Sequence, residues 1–266
     1  MFNPIIIYHV RIRSMKQELR KKTILNLLKK ADSITIQEIA GTCQVSEITA
    51  RRDLNDLEEE GLLIRTHGGA IKSEAVSNLF SFNNKLNRNK DKKIRVCATA
   101  AGYIHHGDVI FIDCGSTLYY LSRYIKNLRN LKIITNSLPF IPELINYSGI
   151  SITMIGGEIV NDRRAVYGPA AEQSISGYHA RKAFIGADGV SLKNGLSSYD
   201  DKESAITRRM IENADKVYLL CDSSKLEKDS FIRFAPISVV NYLITDPEVD
   251  PELKKIYFKN KVNIIT

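Results

Sequence analysis

Apolar residues at Leu19, Ile24, Leu25, Leu27 and Leu28 fall close to a 3.6-residue stripe and predict a helix from Lys16 to Lys30. Asp32 and Ser33 interrupt it. Thr35 followed by Glu38 is a capping-box pair, so a second, short helix is predicted from Ile36 to about Cys43. Gln44 and Val45 read as a tight turn, Ser46 as the next N-cap, and a third helix runs to about Glu60, where Gly61 stops it. Leu62, Leu63 and Ile64 then read as a strand, His67-Gly68-Gly69 as a turn and Ala70-Ile71 as the return strand. The segment from Ser73 to Lys93 is polar and rich in Asn and Lys, which predicts a linker leading into a helix that reaches about Ile104.

From Asp108 onward the period changes. Strands are predicted at Val109–Ile112, Lys132–Thr135, Ser151–Ile155, Ala183–Ile185, Val217–Leu220, Tyr242–Ile244 and Val262–Ile265. Helical segments lie between several of them, at Leu118–Ile125, Pro139–Asn146, Ala170–Ser176 and Glu203–Asn213. That alternation predicts an α/β domain with a largely parallel sheet covered by helices. The expected division is an extension at 1–15, a small N-terminal domain at 16–72, a linker at 73–93 and an α/β domain at 94–266. A chain of 266 residues is long enough for two such domains.

Charge sharpens this division. The formal net charge is +8. Met1–Arg95 carries 18 Lys+Arg against 11 Asp+Glu, whereas Val96–Thr266 carries 20 against 19. A basic segment on a near-neutral body suits a polyanionic partner, although a solvated lysine-rich face has the same composition. No apolar run approaches the ~18 residues of a membrane span, and no membrane partner is expected. Ile5–Val10 is apolar, but Arg11 and Arg13 follow it and no small-residue cleavage site appears, so it reads poorly as a signal peptide. Met15 is an alternative start, because the recognisable pattern begins at Lys16. Cys43, Cys97, Cys114 and Cys221 are scattered and the five histidines lack ligand spacing, so reduced thiols, a cytoplasmic location and neither metal nor cofactor are expected.

Two short capped helices joined by a tight turn make a helix-turn-helix pattern. In the second helix Ala50, Leu54 and Leu57 share the core face, while Arg51 and Arg52 lie roughly 100° and 200° from Ala50. Both guanidinium groups therefore leave the core near the end of a recognition helix that meets base edges. Ser46 and Thr49, with the first backbone N–H groups, suit phosphate contact. The alternative is a solvated surface helix in which Arg52 pairs with Asp56 and Arg51 with Asn55.

The run Val45-Ser46-Glu47-Ile48-Thr49-Ala50-Arg51-Arg52-Asp53-Leu54, with Leu57, Gly61 and Arg65-Thr66-His67-Gly68-Gly69-Ala70, resembles the N-terminal signature of the DeoR family of bacterial transcriptional regulators. The resemblance implies a winged helix-turn-helix that binds double-stranded operator DNA, with Ser46, Glu47, Thr49, Arg51, Arg52, Arg65, His67 and Gly68 at the interface. Ala50 departs from the larger β-branched residue usual there. The resemblance continues through Asp113-x-Gly115-Ser116-Thr117, Thr135-Asn136-Ser137, Gly156-Gly157, Tyr167-Gly168-Pro169, Phe184-Ile185-Gly186, Asp222-Ser223-Ser224-Lys225 and Ile244-Thr245-Asp246. It implies a larger C-terminal effector domain similar in fold to ribose-5-phosphate isomerase, responding to a phosphorylated sugar or related metabolite.

The residues themselves admit a phosphate. Gly115-Ser116-Thr117 follows a strand and precedes a helix, offering close backbone approach, two hydroxyls and unpaired N–H groups. A tight turn with a capping Ser is the alternative. Asp113, Asn136, Gly156, Gly157, Gly186 and Lys225 sit at other strand ends and complete the expected effector set; Lys225 would supply charge and Asp113 would accept from sugar hydroxyls. Two further readings compete. One is an isomerase-like sugar-phosphate enzyme with a DNA-binding appendage, for which Asp113, Glu203 and Lys225 have suitable chemistry. The other is a nucleic-acid-binding module with a purely structural C-terminal domain. A regulator whose DNA affinity is set by a small phosphorylated metabolite fits the strand-end residues best, and the resemblance implies a repressor of carbohydrate-metabolism genes. Because helix-turn-helix proteins bind paired half-sites, a homo-oligomer of at least two chains is expected.

Overall fold

The computed structural model describes residues 17–28, 30–31, 33–59, 62–66, 68–71 and 81–266, which fall into two compact units, Met1–Ser81 and Phe82–Thr266. The proposed start Met15, the stop Gly61, the turn residue His67 and residues 72–80 of the expected linker lie outside the described residues.

In the first unit residues 17–28 are helical. Helix Ile36–Cys43 opens on the anticipated capping box: Thr35 Oγ1 accepts from the Glu38 N–H at 3.2 Å, and Glu38 accepts from the Thr35 N–H at 2.7 Å. Gln44, at φ 53°, turns the chain into helix Glu47–Glu59. Three short strands follow an antiparallel order β1-β3-β2: β1 (Ser33–Thr35), β2 (Ile64–Thr66) and β3 (Gly69–Ile71). The strand expected over Leu62–Ile64 begins at Ile64, because Leu62 and Leu63 are buried in the core instead of lying along the sheet. Ser33, expected only as an interruption, pairs with Ile71. Gly69 is required by this arrangement, since a Cβ there would lie 2.0 Å from the Ile34 carbonyl oxygen. Ile24, Leu28, Ile36, Ile39, Ala50, Leu54 and Leu57 form the core. Into that core the recognition helix also sends Asp53, 1% exposed, whose carboxylate accepts from Arg20 Nε at 2.6 Å and Nη2 at 2.9 Å. This two-pronged pair fixes the first helix against the third, and it raises the Arg20 guanidinium above its ordinary pKa.

The second unit is built on a seven-stranded parallel sheet. Its strands are β4 (Val109–Ile112), β5 (Leu131–Thr135), β6 (Ile150–Met154), β9 (Ala180–Ile185), β12 (Ala214–Leu220), β14 (Tyr242–Ile244) and β15 (Ile264–Ile265), in the order β15-β14-β12-β9-β4-β5-β6. Alternate residues feed two separate cores. Phe111, Ala183, Ile185 and Leu219 face one; Ile110, Ile112, Phe184, Tyr218 and Leu220 face the other. Burial on both faces explains the nearly continuous apolar runs of these strands. All seven predicted strands are present. The antiparallel hairpin β7 (Glu158–Val160)–β8 (Ala165–Tyr167) and the sheet of β10 (Gly189–Ser191), β11 (Gly195–Ser198) and β13 (Ile232–Ala235) were not anticipated. Helix Pro251–Lys259 was not anticipated either.

Two expectations are corrected. The second unit begins at Phe82, so the stretch from Phe82 to Lys93 is not linker: it forms helix Phe82–Asn87 and the start of helix Lys90–Ala101. Phe82 is buried, and the Leu86 carbonyl accepts from the Tyr120 hydroxyl at 3.0 Å. The helix expected over Leu118–Ile125 is a 3₁₀ turn, Leu118–Leu121, followed by one α turn, Ser122–Ile125. Any anion near Gly115–Thr117 would therefore meet local N–H groups and not the dipole of a long helix.

Arg20→Ala should leave Asp53 buried without its partner and destabilise the first unit by roughly 3–5 kcal/mol. Hydrogen exchange should show this as lost protection along Glu47–Glu59, with β4, β5 and β9 unchanged.

Candidate functional sites

The recognition helix starts where Ser46 Oγ accepts from the Thr49 N–H at 3.3 Å, with the two hydroxyls 3.0 Å apart. Ala50, Leu54 and Leu57 are fully buried, which places Arg51 and Arg52 on the solvent side. The surface pairing considered as the alternative is not formed. Asp56 is held by Gln17 Nε2 at 2.8 Å and Lys21 Nζ at 3.3 Å, and Asn55 accepts from Arg65. Arg51 has only a loose contact with Glu47, at 3.9 Å with both side chains about half exposed. A pair of that kind is worth little and is easily exchanged for a phosphate or a guanine edge. Arg65 is anchored on the helix's flank: its N–H donates to Glu58 Oε1 at 3.0 Å and its guanidinium to Asn55. Gly68 is exposed, and its carbonyl accepts from the Ile36 N–H at 2.9 Å, tying the wing turn to the second helix.

The second constellation lies at the carboxyl ends of the parallel strands. The chain lays down β4, β5 and β6 in one direction, returns, and adds β9, β12, β14 and β15 on the other side of β4. Strand order thus reverses between β4 and β9, and the loops Asp113–Thr117 and Gly186–Asp188 leave from that point. Gly115 and Gly186 approach so closely that a Cβ on either would come within about 4 Å of the other's Cα. Asp113 is fully enclosed. It accepts from the Cys114 N–H at 2.7 Å, the Gly186 N–H at 3.4 Å and Thr207 Oγ1 at 3.1 Å. Burial and the nearby Glu203 carboxylate push its pKa up to about 6. Through these bonds it clamps β4, β9 and helix Asp201–Glu212 together.

Around these loops sit Lys85 and Lys93, from the segment expected as linker, and Lys225 of the expected effector set. Lys85 Nζ donates to Asp188 Oδ1 at 2.7 Å. Lys225 Nζ donates to the Ala187 carbonyl at 2.6 Å and lies 3.9 Å from Asp188 Oδ1. The two ammonium groups outweigh the burial of Asp188 and hold its carboxyl well below the usual range. Lys93 is 3% exposed; its Nζ donates to Ser116 Oγ at 3.0 Å and to the Lys85 carbonyl. Burial, then the charges of Lys225, Lys85 and Arg88, push Lys93 down to about 7, partly offset by Asp222. Asn89, at φ 53°, donates to Asp222 Oδ1 at 3.0 Å and Ser224 Oγ at 3.1 Å, which docks the start of helix Lys90–Ala101 on the loop after β12. The apolar pair Phe82 and Leu86, four residues apart, was the available signal for this helical cover.

The expected effector residues divide. Gly115, Ser116, Gly186 and Lys225 converge on the switch point through Asp113, Lys93 and Ala187, and Thr117, 3% exposed, continues the same loop. Asn136 and Gly157 meet the β7–β8 hairpin, and Asn136 also lies against Cys114 of the loop after β4. Asn136 Nδ2 donates to the Val166 carbonyl at 3.3 Å, and a Cβ on Gly157 would lie 2.6 Å from the Tyr167 carbonyl oxygen. Gly156 is exposed with open space around it. Glu203, the alternative catalytic carboxylate, lies 3.4 Å from Arg163 Nη1.

A helix-turn-helix with an exposed arginine face, joined to an α/β domain with a cationic strand-end cluster, defines a DNA-binding transcriptional regulator. Residues 20–75 match the DeoR-like helix-turn-helix domain and residues 88–247 the DeoR C terminal sensor domain. The chain belongs to the DeoR family, a family of regulators and not of enzymes. It is 35% identical to the HTH-type transcriptional repressor GlcR of Bacillus subtilis (strain 168), over 87% of this chain and 89% of that protein. It is 36% identical to the lactose phosphotransferase system repressor of Lactococcus lactis subsp. lactis, over 90% of this chain and 94% of that one. Among solved structures, ribose 5-phosphate isomerase from Plasmodium falciparum overlaps 52% of this chain and 53% of that one, at 17% identity and a TM-score of 0.38. No helix among the described residues is long and apolar enough to cross a membrane.

Arg51→Ala and Arg52→Ala should each weaken specific operator binding, by roughly 1–3 kcal/mol if a bidentate guanine contact is lost. Both variants should melt like the parent chain, since neither side chain enters the core. Gel-shift titration on operator and random duplexes checks this; parental affinity in both variants would remove the arginines from the interface.

Proposed function

We propose that this chain represses carbohydrate-metabolism genes as a cytoplasmic homo-oligomer, and that a phosphorylated sugar or related metabolite, bound at the β4/β9 switch point, modulates its grip on operator DNA. The observation that carries the reading is Lys93. Its ammonium is buried against Ser116 and surrounded by Lys85, Arg88 and Lys225, so its charge is costly until an anion arrives. A phosphate dianion supplies that anion, and Ser116, Thr117 and Lys225 stand ready to hold it. The lactose phosphotransferase system repressor among the relatives supports the regulated genes, and the paired half-sites that helix-turn-helix proteins generally bind support the oligomer. An effector shifts the DNA-binding equilibrium only by its differential affinity for the two states, so lysines on a helical cover over the site are well placed to report occupancy.

A thermal-shift screen of phosphorylated sugars and glycolytic intermediates tests the reading; a true effector at 100 times its dissociation constant should add about 2.7 kcal/mol of stability. The double variant Ser116→Ala/Thr117→Ala, or Lys225→Met, should still bind operator but no longer respond to that effector. Loss of DNA binding outright would show that the loop supports folding or assembly, and a parental response would place the phosphate elsewhere.

Affinity for the effector should depend on pH with two limbs. It rises as the phosphate becomes a dianion, around pH 6. It falls as Lys93 loses its proton, around pH 7. The optimum is therefore near pH 6.5, and Lys93→Met should bind more weakly and lose the alkaline limb. In the unliganded chain the lowered Lys93 pKa has the opposite consequence: the folded state binds fewer protons than the unfolded one between about pH 7 and the ordinary lysine value, so this group's contribution to stability increases as pH rises through that window.

A further inference from the structure

Ile48 is 71% exposed in the first turn of the recognition helix and lies outside the hydrophobic core formed by the described residues. In helical projection it lies about 160° from Ala50, between Arg51 at about 100° and Arg52 at about 200°. It precedes both arginines by three and four residues, so the three side chains share one face. Side chains on a helix lean toward its N-terminus, which carries Ile48 ahead of the guanidinium groups at the end that enters the major groove. Its neighbours Ser46, Glu47, Thr49, Arg51 and Arg52 are polar or charged, with two guanidinium groups to one carboxylate, which suits a polyanionic partner and not the apolar face of another protein. In a major groove, the apolar feature open to such a side chain is the 5-methyl group of thymine.

We propose that Ile48 is a specificity-determining residue that packs on a thymine methyl in each operator half-site, between the positions met by Arg51 and Arg52. This rests on helix Glu47–Glu59 being the recognition helix. The contact selects thymine over cytosine at that base pair, whereas the arginines supply phosphate or guanine contacts.

The test uses the full chain and duplexes recovered from randomised DNA by in vitro selection. In a recovered duplex each thymine is replaced in turn by uracil, which removes the methyl and leaves the pairing unchanged. The parent chain should lose roughly three- to fivefold in affinity at one position per half-site, the worth of one methyl group taken out of contact. Ile48→Ala should melt like the parent, bind more weakly, and show no loss at that position. The proposal is overturned if no uracil substitution weakens the parent, or if Ile48→Ala keeps the same penalty. Failure to recover any preferred duplex, or Arg52→Ala binding like the parent, would remove the recognition helix itself, and the proposal with it.

Discussion

The reversal of strand order between β4 and β9 is the constraint on which the second unit depends. Parallel strands all leave the sheet at one edge, and a reversal forces two consecutive-layer loops to part company there, opening a crevice between them. Each loop is then shaped by that separation. Gly115 and Gly186 keep the floor narrow, and Asp113, buried beneath them, ties the two strand ends and a helix into one rigid node. The residues that could meet a ligand stand on this node and do not form it.

Charge balance follows from the same geometry. Asp188, enclosed at the β9 end, stays ionised because Lys85 and Lys225 face it. Lys93 has no carboxylate of its own at hydrogen-bond distance among the described residues; it donates to a hydroxyl and a backbone carbonyl. A buried cation in that position is poorly compensated, and such groups are where ligands and structure exchange free energy. The first unit solves the equivalent problem differently. Asp53 faces inward and is neutralised by Arg20, so the arginines that follow the turn can remain on the surface for a partner.

Much of this was legible in the sequence, and the gaps have physical causes. The central strands β4 and β9 announce themselves because burial on both faces favours near-continuous apolar runs, and the edge strands β6 and β15 are less buried. The capping box at Thr35 and the cap at Ser46 fix the helix-turn-helix within a residue or so. The strands β10 and β11 are short and rich in Gly and Ser, so no apolar alternation marks them. The cover helices were hidden for a related reason. Lys85, Asn89, Lys92 and Lys93 read as solvated linker because lysines usually are, and only tertiary structure shows that their partners are strand-end loops far along the chain, Lys92 with Ser223 at 3.0 Å among them. Motif position likewise could not show that Asp113 is enclosed by the Cys114 and Gly186 N–H groups and Thr207, while Ser116 meets Lys93 and Lys225 meets the Ala187 carbonyl.

The central claim is that the switch point receives a phosphate. A crystal structure of the full chain, soaked with the phosphorylated sugar that stabilises it most, tests this directly. The account predicts the phosphate within about 3 Å of Ser116 Oγ, Thr117 Oγ1 and Lys93 Nζ, with Lys225 turned toward it. A sugar phosphate bound elsewhere on the chain, with Lys93 still on Ser116 and the Lys85 carbonyl, would contradict it.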